Sequence, residues 1–516
     1  MPNSAIPFDN TYARDLPGFY AACQPEPAPA PALLYFNHEL AGELRLGLAG
    51  HDAPALAAMF SGNALPAGSM PIAQAYAGHQ FGSFSPQLGD GRALLIGEVI
   101  DRHGQRRDIA LKGSGRTPFS RRGDGKAAVG PMLREVLVGE AMHALGIPTT
   151  RALAVVATGA PVQREDLLPG AILTRIAASH LRVGTFQYFA THGTTEMVRQ
   201  LADYAIARHD PDLVGSPQRH ADFLRAVGER QAALLAQWMH VGFIHGVMNT
   251  DNMGIPGETI DYGPCAFMEA YDPRTVFSSI DAGGRYAYAA QPGIARWNLA
   301  RLAEALLPLL DTSEGRAIEI ASAVIDAFPE RYQQHWLAGL RAKLGLGGEL
   351  KEEADGARGD AALGESWLEL LHAQGVDYTL AWRRLADAAA GNEAPLRALF
   401  AAQQGLEGLE RWLERWRARC AAEDAAMMHD GPPAELRAES RAELRARRMR
   451  RVNPWLIARN QRVEEALVAA EHGELAPFEQ LLAALRRPYD EDPALARYAE
   501  PGSDAFMADF RTFCGT

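Results

Sequence analysis

Apolar residues in the first third of the chain occur in short runs that are typical of β-strands. The segments "RALLIGEVID" (92–101) and "RRDIALKGSG" (106–115) contain β-branched residues and flank the turn-forming stretch "DRHGQ". This arrangement predicts a β-hairpin. The segments "RALAVVATG" (151–159) and "GAILTRIA" (170–177) predict two further strands.

One helix is predicted among these strands, and beyond them the chain takes on a helical period. Residues 131–146 place apolar side chains at helical spacing and end in a glycine, which predicts an amphipathic helix. Residues 222–242 and 297–310 predict two more helices, and the C-terminal third of the chain has an almost entirely helical pattern.

Strands followed by helices predict an α+β fold of two lobes. We expect a strand-rich N-lobe over 61–180, a helical C-lobe over 181–345, and additional C-terminal helices over 346–516. Residues 1–60 are assigned to an N-terminal arm and extension. Within them, the Pro/Ala-rich stretch "QPEPAPAPA" (24–32) predicts a linker.

Composition narrows the class of protein. The 516 residues, 47% of them hydrophobic, are enough for two or more packed cores, and the net charge of -12 argues against a nucleic-acid binder. Four scattered cysteines favour a reducing compartment. No apolar run of about 18 residues and no signal-like N-terminus is seen, so we expect a cytoplasmic protein without a membrane partner.

The stretch "HGVMNTDNMG" (245–254) has the spacing of a protein-kinase catalytic loop. In that loop an Asp faces the acceptor hydroxyl and an Asn five residues later holds a metal ion. Here Val247 takes the place of the Asp, while Asn252 keeps the metal-binding position. Asp261, in "DYG", matches the second metal ligand of kinases.

A lysine and a glutamate precede this loop in kinase order. Lys112 ends a predicted strand, and Glu135 lies 23 residues later on the predicted helix 131–146. Such a pair directs the lysine toward nucleotide phosphates. With the catalytic loop, these elements predict a protein-kinase-like bilobal fold.

The predicted nucleotide loop differs from that of a kinase. "QLGDGRA" (87–93) carries Gly89, Gly91 and Arg92, and a Gly/Arg-rich insertion follows Lys112. Glycines allow a close backbone approach to an anion, and arginines offer a fork of donors to phosphate oxygens. Arg175 and Arg182 add positive charge after the last predicted strand of the N-lobe.

These stretches resemble the selenoprotein O family, whose members are kinase-like proteins that transfer a nucleoside monophosphate to protein hydroxyls. The resemblance covers nearly the whole chain and also includes the following stretches: "FDNTYAR" (8–14), "YAGHQFG" (76–82), "LKGSGRTPFSRRGDGKA" (111–127), "DYGPCAFM" (261–268) and "NPWLIARNQRVEEAL" (453–467). In that family the nucleotide is bound in reverse, so that the α-phosphate faces the acceptor.

The resemblance implies a role for each matching residue. Asp251 is the implied general base, Asn252 and Asp261 the implied Mg²⁺ ligands with Mn²⁺ as the alternative ion, and Glu135 the residue that orients Lys112. The implied nucleotide-binding residues are Gly89, Gly91, Arg92, Lys112, Asp124, Gly125, Arg175, Arg182 and Asp261.

We therefore expect a protein adenylyltransferase that moves AMP from ATP, or UMP from UTP, to Ser, Thr or Tyr hydroxyls of protein substrates and releases pyrophosphate. An ordinary kinase is the first alternative, although Val247 removes its base. A non-catalytic nucleotide-binding scaffold is the second. Cys514, third from the end, is a candidate for redox exchange with Cys23, Cys265 or Cys420.

Overall fold

A computed structural model describes residues 6–347, 354–403, 405–428 and 440–513. The first half of the described chain contains the larger sheet, and the second half is helical. The strands are β1 (Tyr20–Ala22), β2 (Ala32–Phe36), β3 (Ile72–Gln74), β4 (Gly78–Gln80), β5 (Ser83–Ser85), β6 (Ala93–Ile100), β7 (Arg106–Lys112), β8 (Ala127–Ala128), β9 (Arg151–Gln163), β10 (Leu167–Ala177), β11 (Phe243–Ile244) and β12 (Ala266–Phe267).

The larger sheet has the order β1-β3-β6-β7-β10-β9-β2, with β8 paired to β10. All its pairs are antiparallel. The predicted hairpin 92–115 is confirmed as β6 and β7, and the strands predicted at 151–159 and 170–177 are confirmed as the longer pair β9 and β10. Two small ribbons, β4 with β5 and β11 with β12, lie outside this sheet.

The helices occupy most of the chain after residue 180. They are α1 (Thr11–Asp15), α2 (His38–Glu43), α3 (Ala53–Phe60), α4 (Val129–Ala144), α5 (Val183–His192), α6 (Thr195–His209), α7 (Arg219–Val241), α8 (Gln291–Leu310), α9 (Glu314–Lys343), α10 (Ala354–Gln374), α11 (Tyr378–Ala389), α12 (Ala394–Ala401), α13 (Glu407–Met428), α14 (Arg441–Arg450), α15 (Asn460–Glu471), α16 (Ala476–Leu485), α17 (Ala496–Ala499) and α18 (Asp504–Asp509). The helices predicted over 131–146, 222–242 and 297–310 are confirmed as α4, α7 and α8.

Helices cover both faces of the sheet. Helix α4 packs on β9 and β10, and α15 and α16 pack in turn on α4. On the other face, α3 contributes Leu56 and Phe60 to a cluster with Ile109 and Val156 of the sheet. The C-terminal helices α10–α13 form a separate core around the fully buried Trp367 and Trp382. None of the described helices is long and apolar enough to cross a membrane.

The linker interpretation of residues 24–32 is wrong. The amide of Glu26 donates to the carbonyl of Ser114 over 2.8 Å, and the amide of Ala30 donates to that of Thr158 over 3.0 Å. The segment is therefore attached to the sheet, and the strands on either side of it, β1 and β2, are part of that sheet.

Candidate active site

A cleft of about 980 Å³ lies where the sheet, α4, the loop 245–264 and α15 meet. Twelve residues singled out from the sequence line this one cleft: Gly89, Gly91, Arg92, Lys112, Asp124, Gly125, Glu135, Arg175, Arg182, Asp251, Asn252 and Asp261. Cys514 lies outside the described residues, so its role remains a prediction.

The sheet register brings Lys112 and Arg175 to the cleft together. Lys112 is the last residue of β7, and Arg175 on β10 pairs with Ala110, two residues before it. Because side chains alternate along a strand, Lys112 and Arg175 point to the same face. Glu135 projects from α4 against that face, and its carboxylate forms an ion pair with Lys112. The predicted Lys–Glu pair is therefore confirmed.

Asp261 is surrounded by cations. Its Oδ1 lies 2.5 Å from Lys112 Nζ and 2.6 Å from Arg175 Nη1, and its Oδ2 lies 3.3 Å from Arg182 Nη1. Burial by itself raises the pKa of this carboxyl, but Arg175, Lys112 and Arg182 together hold the pKa well below its usual range. Asp261 is therefore ionised at neutral pH. Its backbone has a φ of 62°, a strained conformation typical of functional sites.

Asp251 is a buried carboxylate with an unused oxygen. It lies in the short 3-10 helix Thr250–Asn252, and its backbone carbonyl accepts a 2.8 Å hydrogen bond from Arg182 Nη1. Gln80 Nε2 lies 3.5 Å from Oδ2, while Oδ1 has no hydrogen-bond partner among the described residues. Burial raises the pKa of Asp251 to about 6. A carboxylate of this kind can accept a proton near neutral pH.

Asn252 is oriented by the residue that replaces the kinase aspartate. Its Nδ2 donates to the carbonyl of Val247 over 3.0 Å, which fixes the amide and leaves the side-chain oxygen available. The Val247 side chain is itself buried. His245 supports the loop through two contacts. Its ring stacks on Trp238, and its Nε2 donates to the carbonyl of Ile260 over 2.9 Å.

The Gly/Arg-rich insertion forms one wall of the cleft. Gly125 has a φ of 70°, and a side chain there would collide with the carbonyl of Gly115, so only glycine fits. Asp124 accepts from the amide of Lys126 over 2.9 Å and pairs with Arg164 at 2.9 Å. Asp124 therefore holds the insertion against the connection between β9 and β10, which fixes the shape of this wall.

Three arginines at the cleft have no opposing charge. The side chains of Arg92, Arg121 and Arg122 make neither a hydrogen bond nor an ion pair with any part of the chain that the structure describes. The hydrogen bond from the Gly113 amide to the Arg92 carbonyl, 2.7 Å long, fixes Arg92 beside Lys112. Unpaired guanidinium groups in a concave site favour the binding of an anion.

Sequence reasoning assigned no role to the stretch 76–82, although it carried part of the family resemblance. The Tyr76 ring lies 4.6 Å from the Arg182 guanidinium carbon, which is a cation–π contact. Gln80 approaches Asp251, and the amide of Phe81 donates to Asn249 Oδ1 over 3.0 Å. The "YAGHQFG" stretch was the available signal for these contacts.

Asp90, between Gly89 and Gly91, was also missed. It lines the cleft, accepts from the amide of Gln74 over 3.0 Å, and is buried, which raises its pKa to about 6. It therefore anchors the Gly89–Gly91 loop to β3. Within the described ranges, no cluster of three or more His, Cys, Asp or Glu side chains forms a ready-made metal site.

Two C-terminal segments complete the cleft. Glu464 and Glu471 of α15 line it, and Arg134 on α4 bonds Glu464 at 2.8 Å and the carbonyl of Cys265 at 2.6 Å. Arg511, Thr512 and Phe513 also line it. The Thr512 hydroxyl donates to the carbonyl of Pro264 over 2.8 Å, which fixes this tail beside the segment after Asp261.

Comparisons with known proteins identify the family of this chain. Residues 2–486 match the model of the family described as "Protein adenylyltransferase SelO". Proteins named "Protein nucleotidyltransferase YdiU" are similar to the chain at full length. The one from Cereibacter sphaeroides is 59% identical over 99% of both chains, and the one from Chromobacterium violaceum is 58% identical over 97% of this chain and 100% of its own. A relative from Rhizobium etli is 54% identical over 100% of this chain and 98% of its own. The chain therefore belongs to the SelO family of protein adenylyltransferases.

Proposed function

We propose that this protein transfers AMP from ATP to a Ser, Thr or Tyr hydroxyl of a protein substrate and releases pyrophosphate. The observation that carries the proposal is the position of Asp251. A buried carboxylate with an unbonded oxygen shares one cleft with Lys112, Arg175 and Arg182. The family and the names of its full-length relatives support the same reaction.

In the proposed reaction the acceptor oxygen attacks the α-phosphorus of ATP. A bond forms between these two atoms, and the bond from the α-phosphorus to the oxygen bridging the α- and β-phosphates breaks. Asp251 takes the hydroxyl proton, because its carboxylate lines the cleft and its Oδ1 makes no hydrogen bond within the described chain. Gln80 and the Arg182 contact to the Asp251 carbonyl hold this carboxylate in place.

The leaving pyrophosphate carries developing negative charge, and the cleft has donors for it. Arg92, Arg121 and Arg122 have no carboxylate to neutralise them within the described chain, so their charge is available to phosphate oxygens. Fixed donors directed at developing charge are commonly the largest single contribution to catalysis. This distribution favours release of pyrophosphate over transfer of the γ-phosphate.

The donor atoms present fit a magnesium ion. Asn252 offers an amide oxygen and Asp261 an ionised carboxylate, and Mg²⁺ prefers oxygen ligands with only one or two from protein side chains. When bound by these two residues, Mg²⁺ or its alternative Mn²⁺ would supply charge neutralisation at the phosphates. Ion pairs with Lys112, Arg175 and Arg182 fix the position of the Asp261 carboxylate in the cleft.

We also propose that residues 61–180 and 181–345 correspond to the N-lobe and C-lobe of a protein kinase, preceded by an extension at 1–60 that adds β1 and β2 to the N-lobe sheet and followed by a C-terminal helical region at 346–516. The Lys112–Glu135 ion pair and the position of Asn252 after α7 support this assignment. UTP is the alternative donor, because the cationic side chains that line the cleft would bind the phosphates of either nucleotide and do not distinguish a base.

The proposal is tested by incubating the protein with ATP, Mg²⁺ and a bacterial extract, followed by mass spectrometry of the modified peptides. We expect adenylate on Ser, Thr or Tyr with the wild-type protein and none with Asp251→Asn. Phosphate on these residues in place of adenylate would overturn the proposal.

A further inference from the structure

The hairpin formed by β4 and β5 leads from the mouth of the cleft to an exposed aromatic surface. Its turn consists of Phe81 and Gly82, with φ values of 50° and 86°. Such a turn is typical of tight hairpins, but the left-handed region is unfavourable for a phenylalanine because its Cβ crowds the following carbonyl oxygen. Phe81 is held there by hydrogen bonds from its amide to Asn249 Oδ1 and the Tyr286 hydroxyl.

The strained turn presents an aromatic ring beside the proposed base. Phe81 is 36% exposed and lines the same cleft as Asp251, and its ring centroid lies 5.0 Å from that of Tyr286. Asn249, which anchors the turn, lies two residues before Asp251. The position of Phe81 is therefore fixed relative to Asp251, as is expected of a residue that contacts a substrate.

Aromatic contacts continue from this turn across the surface. Phe84 lies on β5 and is 41% exposed. Its ring centroid lies 4.8 Å from that of His79, and the His79 centroid lies 5.1 Å from that of Trp297 on α8. The Arg285 guanidinium carbon lies 5.0 Å from the Trp297 ring and 5.8 Å from the Tyr286 ring. A continuous strip of rings and a guanidinium therefore extends outward from the cleft mouth.

Arg285 supplies a positive charge to this strip, while the carboxylate of Asp281 accepts hydrogen bonds from the backbone amides of Arg285 and Tyr286. The Arg285 guanidinium has no carboxylate partner in the described ranges, and its Nε–H has no hydrogen-bond partner there. Arg301, whose guanidinium carbon lies 4.9 Å from the Trp297 ring, forms an ion pair with Glu304 at 2.7 Å. Burial lowers the pKa of His79, so this imidazole adds no positive charge at neutral pH.

We propose that Phe81, Phe84, Trp297 and Arg285 form the docking surface for the protein acceptor, and that the surface binds an extended segment with apolar and acidic side chains next to the hydroxyl that is modified. This inference rests on the proposed function and names its substrate class. The strip is continuous with the cleft, exposed aromatic rings and arginines are the side chains that most often anchor a protein partner, and unpaired Arg285 is complementary to a carboxylate. Asp251 is 8% exposed, so its target hydroxyl has to enter on a narrow, extended segment.

The test uses a peptide library with a central serine and randomised flanking positions, together with ATP labelled at the α-phosphate. We expect the wild-type protein to select Asp or Glu and apolar residues in the flanks. Arg285→Glu should reverse the charge selection in favour of Lys and Arg. Arg316→Glu is the matched control, because Arg316 is an exposed arginine on α9 outside the cleft, and it should leave the selection unchanged.

A second variant separates docking from chemistry. Phe84→Ser should raise KM for a selected peptide by about 10-fold, while kcat and the Kd for ATP stay unchanged. Unchanged selection in Arg285→Glu would overturn the docking surface. So would a library that stays unlabelled while proteins of an extract are labelled. If neither library nor extract is labelled, the proposed function itself fails.

Discussion

Arg175 and His180 are joined by a 3.3 Å hydrogen bond in which Arg175 Nε donates to His180 Nε2. The guanidinium that pairs with Asp261 is thus oriented by a buried imidazole. His180 Nδ1 in turn donates to Asp108 Oδ2 over 2.9 Å, which fixes the neutral tautomer, and burial lowers the pKa of His180.

The network continues to the N-terminal stretch "FDNTYAR". Arg208 donates to Asp108 Oδ1 over 2.5 Å and to Glu98 Oε2 over 3.1 Å. Glu98 accepts from the Tyr12 amide over 2.6 Å and from the Thr11 hydroxyl over 2.6 Å. Residues 11 and 12 are therefore connected to Arg175, and through it to Asp261, by a continuous chain of buried and partly buried hydrogen bonds.

Replacing His180 by Leu should disturb Arg175 without removing any phosphate contact. Loss of such an orienting partner typically costs about 10–100-fold in affinity at a metal site, so we expect KM for Mg–ATP to rise by about 10-fold. Steady-state kinetics on the folded variant measure this. His335→Leu on α9, where an exposed imidazole pairs with Glu229, is the control. An unchanged KM for Mg–ATP in His180→Leu would show that His180 does not orient Arg175.

Replacing Asp251 by Asn should stop the transfer and spare nucleotide binding. Loss of a general base costs about 100- to 10,000-fold in rate, while Asn has nearly the same shape and removes no phosphate ligand. Asp261→Asn should in contrast weaken Mg²⁺-dependent ATP binding. Calorimetry and initial rates distinguish the two variants. A wild-type rate in Asp251→Asn would show that another group is the base.

Lys343 predicts a pH dependence of stability. Its Nζ donates to the carbonyl of His240 over 2.9 Å and lies 4.9 Å from the Trp382 ring, and burial lowers its pKa from 10.5 to about 7. Because the pKa is lower in the folded than in the unfolded chain, the unfolded chain binds more protons between these two values. The contribution of Lys343 to the free energy of unfolding therefore rises with pH in that window.

Denaturant unfolding of the wild-type protein and Lys343→Met at several pH values between 7 and 10.5 measures this effect. We expect the free energy of unfolding of the wild type, relative to the variant, to increase by at most ~1.4 kcal/mol per pH unit. Lys126→Met, at a half-exposed lysine, is the control. If the difference in free energy of unfolding between the wild type and Lys343→Met did not change with pH, burial would not lower the pKa of Lys343 as described.

The tail predicts a partner for Cys514. Thr512 bonds the carbonyl of Pro264, the residue before Cys265, whereas Cys420 lies on α13 and Cys23 contacts the carbonyls of Gln24 and Arg116. We expect diamide, a two-electron oxidant, to join the thiols of Cys514 and Cys265 in a disulfide. A mobility shift on a non-reducing gel should vanish in Cys265→Ser and persist in Cys420→Ser. A shift that survives Cys514→Ser would contradict the pairing.

Local patterns predicted much of this fold. The hairpin β6–β7 and the helices α4, α7 and α8 are periodic segments bounded by turn residues, so their type follows from neighbouring positions. The Pro/Ala stretch was misread because its attachment depends on Ser114 and Thr158, which are distant in sequence.

The candidate site likewise combines residues that local motifs predict with contacts between distant residues that they do not predict. Lys112, Glu135 and Asn252 follow from motif spacing, whereas the contact of Gln80 with Asp251 joins residues 171 positions apart and has no local signature. Arg121 and Arg122 belong to the Gly/Arg-rich insertion that the sequence indicated, but only the folded chain shows that they line the cleft without a carboxylate partner among the described residues. Long-range contacts of this kind require the structure.

The phosphate that moves is the most direct test of the central claim. The protein, a protein acceptor and Mg²⁺ are incubated in parallel with ATP labelled at the α-phosphate and ATP labelled at the γ-phosphate. With Asp251 as base and Arg92, Arg121 and Arg122 holding the leaving pyrophosphate, the acceptor should take up the α-label, and the γ-label should appear in pyrophosphate. Uptake of the γ-label by the acceptor would instead identify a kinase and contradict the account.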